Sequence, residues 1–440
     1  MLRNAIATLG ILALAAGAAG CGLTTPTPDT RQTQPRPQAA PQPDHTQDTT
    51  FYDYPDQALI DRTAPGGILK SQPLQAPASS LLGSAASRAE RIMYRTADER
   101  GRPVAATGVL LLPKAAPKDA DGWPIISWAH GTTGVGPECA PSRSAQLGGT
   151  VPLLVKWLRE GYAIAAADYP GLGPNGKVHG YLHLRAEGRS VAHAALAAHN
   201  AYRNTVSKKW FAVGISQGGQ AALGAGEWAA QAKGMRFLGT AALAPAAHHA
   251  AALRSAVAEQ SSGASLEGLR NLFSYIAVGA HVYDPKKFAY EDLLTPELAE
   301  EIARPAVRNL CLDELDGYLK IFAPEKKTHG TLNPDWETRN PEISTFLDSV
   351  NPAQKTSAGP VLVLQGEADP VVSPAGTRQL ITELCAKDDS VDWKTYPGVG
   401  HADVAIAGLD DLRTWMNDRL RSTPPNDRCR PAGSSPAQGK

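Results

Sequence analysis

Three residues of this chain have the types and the order that nucleophilic catalysis needs: Ser216, Asp369 and His401. Ser216 is the centre of Gly214-Ile215-Ser216-Gln217-Gly218, which stands between a β-like apolar run and a helix-like run. The pattern reads as a nucleophile elbow, a sharp strand-to-helix turn that lifts a serine hydroxyl above a sheet. Glycines flank the serine at two residues because a Cβ there would strike neighbouring backbone. A serine hydroxyl near neutral pH is a poor nucleophile. It needs a base to take its proton, and the base needs a carboxylate to fix its tautomer and stabilise its charge. Downstream, the run Val361-Leu362-Val363-Leu364 reads as a strand leading into Gln365-Gly366-Glu367-Ala368-Asp369-Pro370, so Asp369 falls just past its end. The next strand ends at Tyr396-Pro397-Gly398-Val399-Gly400-His401, which puts His401 on a glycine-rich loop. Open α/β sheets place their reacting groups at such strand ends. Chance readily supplies a G-x-S-x-G in a chain with 41 glycines among 440 residues, so the weight rests on the partners and their order. Glu367 is the competing acid. The alternatives without chemistry are a serine helix cap, a carboxylate holding the turn before Pro370, and a loop histidine bonded to a carbonyl.

Acyl transfer also needs donors for the negative charge that develops on the carbonyl oxygen in the transition state. The backbone N–H of Gln217, the residue after the nucleophile, is one expected donor. The other belongs on the loop after an early strand, where His130-Gly131-Thr132-Thr133-Gly134 stands. The Thr132 N–H is the expected donor and Thr133 the runner-up, with His130 read as structural. His179-x-x-x-His183 and the pair His248-His249 have ligand residue types but no acid or cysteine in zinc spacing. They read as surface or pocket-lining residues, and no metal or organic cofactor is expected. Asp168-Tyr169-Pro170-Gly171-Leu172-Gly173 lacks the lysine and the glycine spacing of a phosphate loop and reads as a turn shaping the site's floor.

The elements that must position these residues alternate along the chain. Strands are expected at Glu90 to Arg95 and Ala105 to Leu112 around a turn at Asp98 to Gly101, then at Trp123 to Trp128, Tyr162 to Ala167, Trp210 to Val213 and Phe237 to Leu243. Helices are expected at Leu153 to Glu160, Arg185 to Tyr202 and Gln217 to Ala230. Continuous apolar strands alternating with helices are the signature of a parallel sheet covered on both faces. The alternation stops near Ala246 and resumes near Pro360, with a helix around Thr377 to Leu384, a strand at Val391 to Tyr396 and a last helix from Val404 to Arg421. Between lie about a hundred residues with helical periodicity and no β signal, including Leu266 to Ile276, Pro296 to Arg308 and Leu312 to Phe322. The expected fold class is therefore α/β: a mostly parallel sheet with helices on both faces, its core in two parts, 51–245 and 360–430, and a helical cap inserted over 246–359.

The chain opens on Met1-Leu2-Arg3 and an alanine-rich apolar run, Ala5 to Ala19, too short to span a bilayer as a mature helix. Ala18-Ala19-Gly20-Cys21 fits a bacterial lipobox, with alanine where leucine is usual. On that reading residues 1–20 are a signal peptide and Cys21 is lipidated. Cleavage after Ala18 is the alternative, and either way the protein is exported. Lipidation would anchor it to a bacterial cell membrane, periplasmic or cell-surface. Residues 21–50, rich in Pro, Thr and Gln, read as a disordered tether, and 431–440 as a flexible tail. Of five cysteines, Cys21 leaves Cys139, Cys311, Cys385 and Cys429, an even number that favours two disulfides with three pairings open. The 43 basic and 43 acidic residues cancel, and the chain lacks a basic stripe interleaved with aromatics, which argues against a nucleic-acid partner.

The combination resembles a known family. His130-Gly131-Thr132-Thr133-Gly134, Cys139-Ala140-Pro141-Ser142, Asp168-Tyr169-Pro170-Gly171-Leu172-Gly173, Gly214-Ile215-Ser216-Gln217-Gly218-Gly219, Gly366-Glu367-Ala368-Asp369 and Gly400-His401 occur in order. Together they look like the secretory lipase family of α/β hydrolases, the group of the fungal lipase A of Candida, in its bacterial branch. The likeness runs from about Tyr52 to Cys429. It implies esterase or lipase activity on fatty-acyl esters, a mostly helical lid, and disulfides Cys139–Cys311 and Cys385–Cys429, the first pinning the insertion to the core. Lids and tails vary within such families, so acyl-chain preference does not carry over. The expected function is a serine carboxylic-ester hydrolase acting through an acyl-enzyme on a small-molecule or lipid ester. A serine peptidase or amidase uses the same residues. A non-enzymatic α/β-hydrolase-like binding module is the other class, and such modules commonly lose one of the three reacting residues. The oligomeric state is left open.

Overall fold

The computed structural model describes residues 49–262, 266, 269–322 and 331–430. The expected signal peptide, the lipidation residue Cys21, nearly all of the tether and the 431–440 tail lie outside the described residues. Nine strands form one sheet: β1 Ile68–Pro73, β2 Ala86–Ala97, β3 Pro103–Pro113, β4 Trp123–Ala129, β5 Ala163–Ala167, β6 Val206–Ile215, β7 Arg236–Leu243, β8 Val361–Gly366 and β9 Val391–Tyr396. Their order across the sheet is β1-β2-β3-β5-β4-β6-β7-β8-β9. β1, β2 and β3 run antiparallel to their neighbours, and every pair from β5 to β9 is parallel. The inner parallel strands β4, β5, β7 and β8 are largely apolar without alternation because both faces are covered, and β8 is buried at every residue, whereas the edge strand β9 carries Asp392, Lys394 and Thr395. β2 and β3 turn at Asp98, whose carboxylate accepts the Arg102 N–H at 2.8 Å, while Gly101 takes a positive φ of 85°. β1 carries no apolar alternation and was not expected. It is held as an edge strand by backbone pairing to β2 rather than by a buried face.

Helices cover each side. On one, Val151–Arg159 and Leu409–Leu420 bury Trp157, Trp415 and Met416 against Trp128, Phe211 and Leu364. On the other, the alanine-rich helices Leu184–Ala201 and Gln217–Glu227 pack on Ala129, Ala165 and Trp210. Small residues let these two helices touch: a Cβ on Gly188 would stand 2.4 Å from the Gly224 carbonyl carbon. The last helix, expected as one piece, is broken at Gly408 into Val404–Ala407 and Leu409–Leu420. The break lets the backbone pass close to β8, since a Cβ at Gly408 would come within 2.7 Å of Leu364 Cδ1.

Between β7 and β8, the described residues run through His249–Ser261, Arg270–Tyr283, Pro296–Ala303, Pro305–Arg308, Leu312–Phe322, Trp336–Arg339 and Glu342–Ser349, all helical. The segment has its own apolar cluster, with Phe273, Tyr275, Leu294, Trp336 and Phe346 packed around Tyr181 and Leu182 from the core. The stretch Pro296 to Arg308, expected as one helix, is cut at Arg304, which is extended (φ −73°, ψ 118°). Pro305 causes the cut by removing an N–H and disfavouring helical backbone at the preceding residue. Both disulfides are formed, Cys139–Cys311 and Cys385–Cys429, each with a Cα–Cα distance of 5.2 Å. The first ties the loop after β4 to the residue preceding the Leu312 helix, and the Leu312 N–H adds a bond to Thr133 O at 2.9 Å.

Candidate active site

β6 ends at Ile215 and the next helix begins at Gln217, so Ser216 alone makes the turn. Its backbone sits at φ 58°, ψ −121°, a conformation that costs an L-residue about 1–3 kcal/mol. The turn is held from both sides. The Ser216 N–H donates to Leu243 O at 2.9 Å, and its carbonyl accepts from Gln220 and Ala246, each at 3.1 Å. The flanking glycines are demanded by contact: a Cβ on Gly214 would lie 2.2 Å from Gly218 O, and one on Gly218 2.0 Å from Ala129 O. The Ser216 side chain makes no capping bond to its helix, which removes the helix-cap alternative.

Asp369 follows β8 and is 7% exposed. Its Oδ2 accepts His401 Nδ1–H at 2.7 Å and Gln365 Nε2–H at 3.0 Å, while Oδ1 accepts the Val371 and Val372 N–H groups at 2.8 Å each. Gln365 is itself oriented by the Thr377 hydroxyl, 2.7 Å from its Oε1. Burial alone would raise the carboxyl pKa, but the His401 and amide bonds outweigh it and hold the group below its usual range. An ionised carboxylate only accepts, so His401 carries its hydrogen on Nδ1 and keeps Nε2 bare, which is the nitrogen a general base uses. Glu367 is exposed and accepts from the Thr395 hydroxyl at 2.7 Å, so the two acids are separated by their partners. Ser216, Asp369 and His401 follow the C-terminal ends of β6, β8 and β9, and β7 is the only strand between β6 and β8.

The loop after β4 passes beside the elbow: a Cβ on Gly131 would be 3.8 Å from Ser216 Cβ. Thr132, next in sequence, has its hydroxyl 2.6 Å from Tyr181 OH. His130 is buried and bonds the Gly131 carbonyl through Nδ1 at 2.6 Å, its ring stacked 4.3 Å from Tyr169. Burial lowers its pKa to about 4, so it is neutral at pH 7. Asp168 is buried and braces this floor, accepting the Thr107 hydroxyl at 2.7 Å and the Ser142 N–H at 2.9 Å.

Three residues behind the elbow form a buried polar cluster that the sequence did not reveal. His179 Nδ1–H donates to Pro170 O at 2.8 Å, leaving Nε2 to accept from Gln217 Nε2 at 2.8 Å. The other Gln217 amide hydrogen goes to Glu187 Oε1 at 2.8 Å, which also accepts the Leu182 N–H at 3.0 Å. Burial pushes the Glu187 pKa up. The visible signal was a lone glutamate among the apolar residues of the Leu184 helix. His179 is thus not a surface residue: it is 1% exposed, and burial is tolerated because both ring nitrogens have partners. His183 lines a cavity and its Nε2 bonds Gly279 O at 2.9 Å. His249 is buried, and His248 lines a separate cavity.

Fold and site together define a serine hydrolase of the α/β type. A family model described as serine aminopeptidase, S33, matches residues 147–404, more than half of the chain, and the protein belongs to that family. Among curated proteins, acyl-protein thioesterase 1 of Gibberella zeae is 38% identical over 77 residues, 17% of this chain and 32% of that protein. The chain therefore matches about a third of that relative's length. Among solved structures, Candida antarctica lipase A in its closed state aligns with a TM-score of 0.66 at 18% identity over 86% of each chain. The rice cell wall degrading esterase LipA from Xanthomonas oryzae aligns at 0.62 and 22% identity, over 82% of this chain and 98% of that one. A putative hydrolase from Legionella pneumophila aligns at 0.66 and 17%, over 82% and 100%. At these identities the likeness is one of fold, and the resemblance expected from the motifs stands at that level.

Proposed function

We propose that the protein is a serine carboxylic-ester hydrolase of the lipase or esterase kind. His401 Nε2 takes the Ser216 proton as Oγ attacks the ester carbonyl, and Asp369 stabilises the imidazolium. The Gln217 and Thr132 N–H groups receive the oxyanion, each such donor being worth about 10²–10³ in rate. Collapse returns the proton from His401 to the leaving alcohol, and water then repeats the sequence on the acyl-enzyme to release the acid. The observation that carries this reading is the 2.7 Å His401–Asp369 bond past the ends of β8 and β9, on the same edge of the sheet as the strained Ser216 turn that ends β6. It is supported by the lipase and esterase neighbours of the fold.

Residues 246–359 act, on this reading, as a cap over the acyl chain, tied down by Cys139–Cys311. The two disulfides suit an exported protein, and Cys21 would carry the lipid that anchors it to a membrane through the 21–50 tether. The family description and the thioesterase relative favour a second reading, in which the same residues cleave an amide or a thioester. One assay separates these: p-nitrophenyl esters from acetate to palmitate and an emulsified triglyceride, beside the anilide and thioester of one acyl group. Ester turnover is expected to exceed amide turnover. Ser216→Ala should lower kcat by about 10⁶-fold while the urea midpoint is kept. Near-normal ester turnover in that variant would sink the assignment.

A further inference from the structure

The end of the Gln217 helix farthest from Ser216 borders a cavity of about 690 Å³. Four cationic side chains line it: Arg95 from the end of β2, Arg189 from the Leu184 helix, Lys233 from the loop before β7, and Lys355 from the loop before β8. Among the described residues none of the four has a carboxylate within ion-pair distance, although the chain as a whole holds as many acids as bases. Arg189 is 8% exposed and spends Nη1 on Asp98 O at 2.8 Å. Its guanidinium carbon lies 4.4 Å from the centroid of Trp228, and Lys355 Nζ lies 3.4 Å from the same centroid.

The one carboxylate in the wall, Glu227, is turned to backbone amides: Gln354 N–H donates to it at 3.1 Å, and those of Ala353 and Lys355 add to the pull. Burial nevertheless raises its pKa to about 7, so its charge is muted in neutral solution. Two donors of the wall are buried without a hydrogen-bond partner among the described residues: Arg95 Nε and Trp228 Nε1. Native interiors rarely leave such atoms unpaired. The charge excess also reaches its neighbours. Burial lowers the His193 pKa to about 3, and Arg95 and Arg189 push it the same way.

We propose that this cavity is a binding site for a tetrahedral oxyanion, a phosphate or sulfate group, either free or carried as the headgroup of an anionic phospholipid. Guanidinium forks donate to such oxygens two at a time, and a tetrahedral group reaches donors from four different elements where a planar carboxylate reaches fewer. The Trp228 face supplies an apolar wall for whatever bears the anion, and the cavity has the size of an ordinary small-ligand site.

The test uses the full exported chain carrying Cys21→Ser, so that no acyl anchor contributes. Inorganic phosphate and sulfate are titrated by calorimetry at pH 7 and constant ionic strength. In parallel, the protein is sedimented with vesicles of phosphatidylglycerol or of phosphatidylcholine. Arg95→Gln and Lys355→Gln are each expected to weaken anion binding about tenfold. Ester turnover should stay unchanged, because neither residue touches the site at Ser216; that also reports an intact fold. Binding to phosphatidylglycerol but not to phosphatidylcholine or free anions, lost in the double variant, identifies the source as a lipid headgroup. Phosphate heats no larger than those of chloride, together with vesicle binding equal in wild type and double variant, would overturn the proposal. So would anion binding that survives both substitutions.

Discussion

On the elbow side of the site, Ser216 is held by backbone packed against backbone, whereas on the β8–β9 side Asp369 and His401 are held by hydrogen bonds. The first is a matter of volume. Gly214, Gly218 and the Ala129 carbonyl leave no room for a Cβ, and the serine is forced into a strained conformation that the neighbouring strands over-determine. The second is a matter of charge. Four donors converge on Asp369 and keep it ionised, and on the loop before His401 a Cβ at Gly398 would meet nothing within 4 Å. One half of the site should therefore tolerate changes of charge better than changes of size, and the other half the reverse.

The largest effect expected is from Asp369→Asn, which keeps the volume and removes the charge: a loss of about 10⁴ in kcat, read in the ester assay. Glu367→Gln beside it should be near normal, and the opposite ranking would move the acid role to Glu367. Next in size is Gly218→Ala, where the new methyl meets a carbonyl that cannot move aside; a stability loss of about 3 kcal/mol or more is expected from urea unfolding. Gly400→Ala, on the loop before His401, would meet only the end of the Asp403 side chain at 3.3 Å and should cost under about 1 kcal/mol. Equal costs at the two glycines would erase the contrast.

The two halves also differ in the sign of their pH dependence. Asp369 has a depressed folded pKa, so its stabilisation is present above the unfolded value near 3.8 and is lost as pH falls through the folded one. Glu187, behind the elbow, has a raised folded pKa, so the folded state holds the extra proton. Its contribution is full below the unfolded value of 4.5 and is lost as pH rises through the folded pKa. Urea midpoints across pH should show Glu187→Gln gaining on the wild type toward neutrality and above, while Asp369→Asn falls behind there and draws level in acid. Parallel curves for both variants would contradict this. The smallest expected effect is from Thr132→Val, which removes the hydroxyl bonded to Tyr181 but keeps the backbone N–H. A kcat loss under about tenfold is expected, and a loss of a hundredfold would make the hydroxyl itself an oxyanion donor.

How far the site could be read from the chain differs between the same halves. The strand ends that carry Ser216 and Asp369 were legible because β6 and β8 close on short apolar runs, and His401 because glycines follow the Val391 to Tyr396 strand; those patterns are local. The helix breaks at Gly408 and Pro305 had local causes too, a close approach to Leu364 and a missing N–H, but only the second is visible without the neighbour. β1 was missed because it lacks the periodicity of a half-buried element, and it exists only because β2 offers it an edge; the His249 helix falls inside the expected helical insertion, which gave it no bounds of its own. The Gln217–His179–Glu187 cluster was missed for a different reason. Its members come from a helix start, a loop and a second helix, and nothing in their own neighbourhoods says that they meet.

By itself, then, the sequence determined the order of strand, serine, helix, acid and histidine, and the need for glycine at the elbow, because apolar periodicity and the absence of a Cβ are properties of the residues in place. Only the tertiary structure decided which carboxylate bonds His401. It likewise decided how four cysteines pair across 172 and 44 residues, and that four cations with no ion pair among the described residues line one cavity with Trp228. Those outcomes depend on where distant segments cross, and crossing is fixed by the packing of the whole sheet and its two helical layers.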